Sequence, residues 1–172
     1  MDIRFVSADE AVSLIHDGDH IFVQGSTSVP EELCAALARR GNELHGVTVY
    51  SAFSIAKGPA PYCKPEFKEA FIVNSFFVSN NVRKYINEGY GTMTPRFLGE
   101  VPYLFYDGTC PIDVVFLNCS MPNREGYVSF GVSADLALPA MRVAKKIIAQ
   151  INPNVPFSYG DAVLHHSKIT AA

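Results

Sequence analysis

Two short polar stretches of this sequence carry the side chains best suited to binding chemistry. In both, hydroxyl or amide groups stand beside glycine, which lets a ligand approach the backbone closely. Hydroxyls beside the amino terminus of a helix also favour anionic groups, which suits the first stretch. The candidate binding residues are Gln24, Gly25, Ser26 and Thr27 in the first stretch, and Ser120, Gly126, Tyr127 and Ser129 in the second.

Each stretch also has a structural interpretation that involves no ligand. Ser26 and Thr27 precede a predicted helix, where hydroxyls commonly accept hydrogen bonds from the first backbone N–H groups. Tyr127 can be a packed aromatic side chain whose hydroxyl is satisfied by the protein itself. The sequence leaves both alternatives open.

Neither metal chemistry nor a cysteine nucleophile is indicated. The cysteines form no CxxC pair and have no histidine at metal-ligand spacing. Cys119 lies near the second stretch, but its neighbours supply no cation that would lower the thiol pKa. His165 and His166 are adjacent on a predicted extended segment, so we expect their side chains to point to opposite sides and not to share a metal ion.

The second stretch lies inside the segment that organises the chain, residues 112–151. This segment opens with an apolar run at 114–117 and closes with another at 147–149. Strands that are apolar on every side chain are typical of a parallel sheet covered on both faces. Ligands bind at the carboxyl ends of such strands, so the loop between the runs is where a site is expected.

The other elements extend this pattern. Ser7 begins a capping box and Pro30 suits the first position of a second helix. Pro139 conflicts with a helix predicted after Ser133, so that helix either kinks or starts late. Strands are predicted at 20–24, 46–53 and 71–78, with a further helix from Asn80. The alternation predicts one α/β domain over residues 1–172, an open, mostly parallel sheet with helices on both faces.

Composition limits the classes of partner. The formal net charge is −3 and the basic residues are scattered, so no nucleic-acid partner is expected. No apolar run approaches the roughly 20 residues that cross a bilayer, and the amino terminus lacks a leader pattern, which predicts a cytoplasmic protein without a membrane partner. Hydrophobic residues make up 48% of the chain, which favours burial against another chain or domain.

Three longer runs resemble a known family. SMPNREGYVSFGVSAD, KKIIAQINPNVPFSYGD and EGYGTMTPRFLGEVPYLF are similar to segments of the acetyl-CoA hydrolase/transferase family. These are class I CoA-transferases, including 4-hydroxybutyrate and butyryl-CoA:acetate CoA-transferases. The resemblance covers nearly the whole chain and lies in the amino-terminal half of the family. Asn118 and Asn123 depart from it, standing where the family more often has Gln and Asp.

The resemblance implies a fold of the NagB/RpiA/CoA-transferase type and transfer of CoA from an acyl-CoA to a small carboxylate. In that mechanism a glutamate attacks the thioester and forms an acyl anhydride. The CoA thiolate then attacks the anhydride and gives a glutamyl-CoA thioester. The family's glutamate lies in a carboxyl-terminal domain, and no glutamate of this chain matches its motif. The resemblance therefore implies no catalytic residue here, an inactive isolated chain, coenzyme A as the acyl-CoA substrate, and a homo-oligomeric full enzyme.

Three functions remain open at the level of sequence. The chain can be half of a CoA-transferase, half of an acyl-CoA hydrolase, or a non-catalytic module for acyl-CoA binding or assembly. Transferase and hydrolase differ in whether water reaches the glutamyl intermediate, and no residue of this sequence decides that. The acyl group and the carboxylate are not specified either.

Overall fold

The computed structural model describes residues 5–172, so the first four residues of the predicted domain lie outside it. The strands of its main sheet are β1 (His20–Val23), β2 (Val47–Ser51), β3 (Phe71–Ser75), β4 (Gly91–Met93), β5 (Val114–Cys119) and β7 (Lys146–Ile151). Their order is β4-β3-β2-β1-β5-β7, and every neighbouring pair is parallel. A separate antiparallel ribbon pairs β6 (Tyr127–Ser129) with β8 (Val163–His165). The predicted open, mostly parallel sheet is confirmed.

Helices cover both faces of the sheet, as predicted. They are α1 (Ala8–Val12), α2 (Glu31–Arg39), α3 (Asn80–Asn87), α4 (Val101–Tyr106) and α5 (Ala137–Val143). Side chains of α1, α2 and α3 join one hydrophobic core, and those of α4 and α5 join another on the opposite face. None of the helices in the described part of the chain has the length and apolar character that a membrane span requires.

Strand β5 shows why the apolar runs were informative. It lies between β1 and β7, and all its residues are buried. Val114 and Phe116 enter one core, while Val115 and Leu117 enter the other. A strand whose side chains are buried on both faces has no polar face, so its sequence does not alternate.

Local rules explain the helix starts. The Ser7 side chain accepts a hydrogen bond from the Glu10 backbone N–H at 3.1 Å, as the capping box predicts. Helix α5 starts late, at Ala137, which places Pro139 in its first turn, where a missing N–H leaves no internal hydrogen bond unmade. Pro102 likewise lies in the first turn of α4, after a separate 3-10 turn at Leu98–Glu100.

The short strands β4 and β6 were not predicted, and β8 was anticipated only by the extended segment at His165. Gly91, which follows the helix predicted from Asn80, opens β4 and pairs with Val73 of β3. Tyr127–Ser129 was placed in a loop, yet it pairs with Val163–His165. Three residues are too few to show a periodic pattern, so these strands depend on the partners that tertiary folding brings beside them.

Candidate functional site

The carboxyl ends of β1 to β4 border two neighbouring cavities of about 350 and 420 Å³. Phe76, Phe77 and Arg96 line both of them. The smaller cavity is completed by Ser26, Ala52, Phe53, Leu98, Val101 and Asp135. The walls are therefore mainly apolar, with a few polar groups, which is the usual composition of a small-molecule site. This is also the sheet edge where ligands of parallel α/β proteins bind.

Ser26 lines the smaller cavity from a strained backbone position. Its φ angle of 55° lies in the left-handed region, which a side chain other than that of glycine, asparagine or aspartate rarely adopts. The Ser26 N–H donates to the Phe53 carbonyl oxygen at 2.6 Å, and the Ile55 N–H donates to the Ser26 carbonyl at 3.2 Å. These bonds hold the residue in place, and such strain is concentrated at functional sites.

Gly25 is required by a contact between two backbone segments. A Cβ atom on this residue would lie 2.5 Å from the Phe53 carbonyl oxygen, inside any allowed contact. The glycine therefore lets the end of β1 pass close to the chain that follows β2. Its predicted approach to a ligand stays a prediction.

The Gln24 side chain connects the first polar stretch, by hydrogen bonds, to the residues that follow the second polar stretch. Its side chain is fully buried. Its amide nitrogen donates to the Ser133 carbonyl at 2.6 Å and to the Phe130 carbonyl at 3.3 Å, while its oxygen accepts from the Asn118 backbone N–H at 2.7 Å. The amide is thus used within the protein, and we infer that Gln24 positions the site.

The hydroxyls near α2 do not cap that helix. Pro30, not the predicted serine or threonine, occupies the N-cap position and makes no side-chain cap hydrogen bond, while the Gln150 side chain accepts from the Glu32 N–H at 3.1 Å. The sequence predicted Pro30 as the first helical residue, whereas the helix begins one residue later, at Glu31. Thr27 is exposed and Ser28 is buried. The structural alternative for the first stretch, a hydroxyl cap without a ligand, is not observed.

Ser120 and Ser129 hydrogen-bond to each other across the loop of the second stretch. The Ser120 hydroxyl accepts from the Ser129 N–H at 2.9 Å, and the Ser120 N–H donates to the Ser129 carbonyl at 2.9 Å. The Ser129 hydroxyl accepts from the N–H groups of Ser158 at 3.0 Å and Gly131 at 3.1 Å. Both serines are buried, so their hydroxyls hold the loop together.

Tyr127 opens strand β6 of the ribbon formed with β8, and Gly126 immediately precedes it. Gly126 has a φ of 82°, and a Cβ atom there would lie 2.7 Å from the His166 ring. Tyr127 is 41% exposed and makes an edge contact with His165 at a centroid distance of 5.1 Å. Among the described residues, neither these two nor Ser120 and Ser129 line the two cavities at the sheet edge.

The histidine pair is arranged differently from the prediction. The rings of His165 and His166 lie together, with centroids 4.6 Å apart and planes 30° apart. The expected opposite orientation fails because His166 leaves the strand and begins a 3-10 turn. The described residues nevertheless contain no group of three or more His, Cys, Asp or Glu side chains placed to hold a metal ion.

Cys119 is not arranged as a nucleophile. It is buried at the end of β5, and burial raises its thiol pKa to about 12. Because the thiolate is the reactive form, the thiol is inert near neutral pH. All of the cysteines, Cys34, Cys63, Cys110 and Cys119, are free and buried.

Sequence reasoning missed several residues that line the cavities. Phe53, Phe76, Phe77, Arg96 and Asp135 come from four separate connections that follow strands or precede helices. In the structure they lie beyond strand ends, which meet at one edge of a parallel sheet, whereas the predicted strands 46–53 and 71–78 had included Phe53, Phe76 and Phe77. Their side-chain types alone carried no signal, because a lone arginine or phenylalanine is common on any loop.

A protein-family model described as the acetyl-CoA hydrolase/transferase N-terminal domain matches residues 2–171. The chain belongs to this family. Among curated relatives of the family, it is 34% identical over 166 residues to the 4-hydroxybutyrate coenzyme A transferase of Clostridium kluyveri, covering 96% of this chain and 38% of that enzyme. The chain thus spans well under half the length of this relative.

Solved structures agree with this membership in the hydrolase/transferase family. RipA from Yersinia pestis superimposes with a TM-score of 0.89 at 25% identity, covering 98% of this chain and 41% of RipA. A 4-hydroxybutyrate CoA-transferase from Porphyromonas gingivalis gives a TM-score of 0.80 at 30% identity, covering 98% of this chain and 38% of that protein. The predicted family and the CoA-transferase type of fold are therefore confirmed.

Proposed function

We propose that this chain forms the acyl-side wall of a CoA-transferase site, which a carboxyl-terminal domain outside these 172 residues completes. The enzyme moves CoA from a short-chain acyl-CoA to a carboxylate such as acetate or 4-hydroxybutyrate. The supporting observation is the position of Ser26, which is held in a strained conformation on an apolar cavity at the ligand-binding edge of the sheet, in a member of this family.

The reaction proceeds by exchange at a glutamate of the second domain. The glutamate carboxylate attacks the thioester carbonyl, expels the CoA thiolate and forms an acyl-glutamyl anhydride. The thiolate then attacks the glutamyl carbonyl, releasing the first carboxylate and leaving a glutamyl-CoA thioester. A second carboxylate reverses these steps, so no water, oxidant or metal is consumed. Donors that face the developing oxyanions lower both barriers.

In this proposal the acyl group occupies the cavity beside Ser26. Phe53, Phe76 and Phe77 offer apolar walls to a short acyl chain. Among the residues that line this cavity, Ser26 alone carries a hydroxyl, which can donate to the polar end of the acyl group. A cavity of about 350 Å³ is at the small end of ligand sites, which commonly measure roughly 300–1,000 Å³, and this suits a short acyl group.

An exposed apolar surface at the same edge supports the presence of a covering domain. Phe97 is 80% exposed and Leu98 is 64% exposed, and both lie beside the cavities. Burying such side chains against a second domain removes apolar area from water and excludes water from the reacting groups. We therefore place the carboxyl-terminal domain over this edge.

The test is CoA exchange between acetyl-CoA and labelled acetate, with this chain alone and with the chain extended by its downstream coding region. Exchange only by the longer protein is expected. Release of CoA from acetyl-CoA without acetate would instead assign the protein as a hydrolase. Exchange by the short chain would overturn the assignment of the nucleophile to a second domain.

Ser26→Ala in the longer protein tests the acyl site itself. Removing one neutral hydrogen-bond donor should lower kcat/KM by about 5- to 10-fold. Ser26→Gly should give a similar loss of activity while it relieves the left-handed strain. Ser13→Ala is the control, because the exposed Ser13 hydroxyl donates to the Glu10 carbonyl on α1. Unchanged kcat/KM in Ser26→Ala would remove Ser26 from the site.

A further inference from the structure

Arg96 is the cationic side chain on the cavities at the sheet edge. It follows β4 and lines both cavities together with Phe76 and Phe77. Most of the surrounding surface is apolar, so a single guanidinium placed there is a specific feature. Guanidinium groups at such positions recognise carboxylates and phosphates with geometric selectivity.

The guanidinium of Arg96 has unused donors. One of its terminal nitrogens donates to the Pro95 carbonyl at 3.3 Å. It makes no ion pair with any carboxylate of the described residues, although its charge acts to lower the pKa of the Cys110 thiol. Arginine carries several N–H donors in a planar fork, so most of this capacity is free for a ligand.

Two carboxylates share the cavity walls with Arg96. Glu100 lines the larger cavity, and Asp135 lines the smaller one. The Asp135 carboxylate already accepts a hydrogen bond from the Leu136 N–H at 2.6 Å, just before α5 begins. The positive end of the helix further offsets its charge. Of the two charged groups on the smaller cavity, the guanidinium is the one that can donate hydrogen bonds to an anion.

We propose that Arg96 binds the distal carboxylate of a dicarboxylic acyl group, so that the site prefers acyl groups with an anionic end. This inference rests on the proposed function, since it assumes that the acyl group lies beside Ser26. Ser26 and Arg96 line the same cavity, with apolar walls from Phe53 and Phe77. A short methylene chain fits these walls, and a carboxylate at its end pairs with the guanidinium as a charged hydrogen bond.

The test compares four-carbon substrates that differ only at the distal end: butyryl-CoA, 4-hydroxybutyryl-CoA and succinyl-CoA, which end in methyl, hydroxyl and carboxylate. In the longer protein, kcat/KM should be highest for succinyl-CoA. Arg96→Gln should lower the succinyl-to-butyryl ratio of kcat/KM by about 10- to 100-fold, the range for a charged hydrogen bond. Arg96→Lys should lose part of the ratio, because lysine keeps the charge and loses the fork.

Arg142→Gln is the matched control, since Arg142 is exposed near the end of α5 and does not line either cavity. It should leave the ratio unchanged. An equal fall of kcat/KM for all three substrates in Arg96→Gln would overturn the inference and assign Arg96 to the phosphates of CoA. A ratio that Arg96→Gln does not change would also overturn it, while the proposed transfer itself would stand.

Binding of free carboxylates separates this inference from the proposed function. If the longer protein exchanges CoA with none of the three substrates, the proposed function fails, and calorimetry with free succinate and butyrate decides the role of Arg96. Tighter binding of succinate that Arg96→Gln abolishes would support the anion site. Equal binding of both acids, or binding of neither, would overturn it.

Discussion

Gly25→Ala is the sharpest test of how the first polar stretch is held. The new Cβ atom would lie 2.5 Å from the Phe53 carbonyl oxygen, whereas real contacts of this kind begin near 3.0 Å. The two backbone segments must therefore move apart by at least about half an ångström, the difference between these two distances. The same oxygen accepts the Ser26 N–H at 2.6 Å, so the movement also stretches that hydrogen bond.

The expected loss of stability in Gly25→Ala follows from overpacking against backbone atoms. Forcing extra atoms into a well-packed region typically costs about 1–3 kcal/mol, and backbone atoms yield less easily than a flexible side chain. We expect about 2 kcal/mol lower free energy of unfolding. For a protein of this size, that corresponds to a Tm lower by about 4–8 °C.

Urea unfolding followed by far-UV circular dichroism measures this loss directly. Gly99→Ala is the control, because a Cβ atom there has nothing within 4 Å and its backbone has no left-handed φ. The control should stay within about 0.5 kcal/mol of the wild type. If Gly25→Ala were as stable as Gly99→Ala, the close approach to Phe53 would not constrain this loop, and the explanation of the strained Ser26 would fail.

Two further predictions concern ionisable groups. Burial acts to raise the pKa of Asp113, but hydrogen bonds from Lys145 and His20 outweigh it and hold the pKa below the ordinary 3.8. The resulting stability is present above that value and is lost as the pH falls through the folded pKa, so Asp113→Asn should unfold with a weaker dependence on acid pH than the wild type. If the stability of Asp113→Asn depended more steeply on acid pH than that of the wild type, the lowered pKa of Asp113 would be contradicted. Since burial raises the thiol pKa of Cys119 to about 12, iodoacetamide at pH 8 should label it only after denaturation. Rapid labelling of the folded protein, located by mass spectrometry, would show that the thiol is accessible.

The main elements of the fold could be predicted from the sequence because each depends on local properties. The apolar run at 114–117 was read as a buried strand, and it forms β5 with both faces covered. The capping box at Ser7 begins α1, and Asn80 begins α3. A hydrophobic pattern or a cap is complete within a few residues, so no tertiary information is needed to recognise it.

The family could also be predicted, because its motifs are contiguous. The run 120–135 contains Gly126, Tyr127 and Ser129, and the family match confirms what these residues indicated. Their individual roles could not be predicted in the same way. Ser129 hydrogen-bonds to Ser158, and Tyr127 contacts His165, so each role depends on a partner well outside the motif.

Only the tertiary structure decided how the site is assembled. Gln24, chosen as a binding residue for its polar amide, is buried and bonds to Ser133, which is 109 residues away. Ser26 shares a cavity with Arg96 and Asp135, which come from distant connections. Parallel strands bring the ends of separate segments to one edge, and the sequence alone does not state which of those ends become neighbours. The chain's own residue types thus determined the longer strands, the helices and the family, whereas the pairing of strand ends determined which side chains meet.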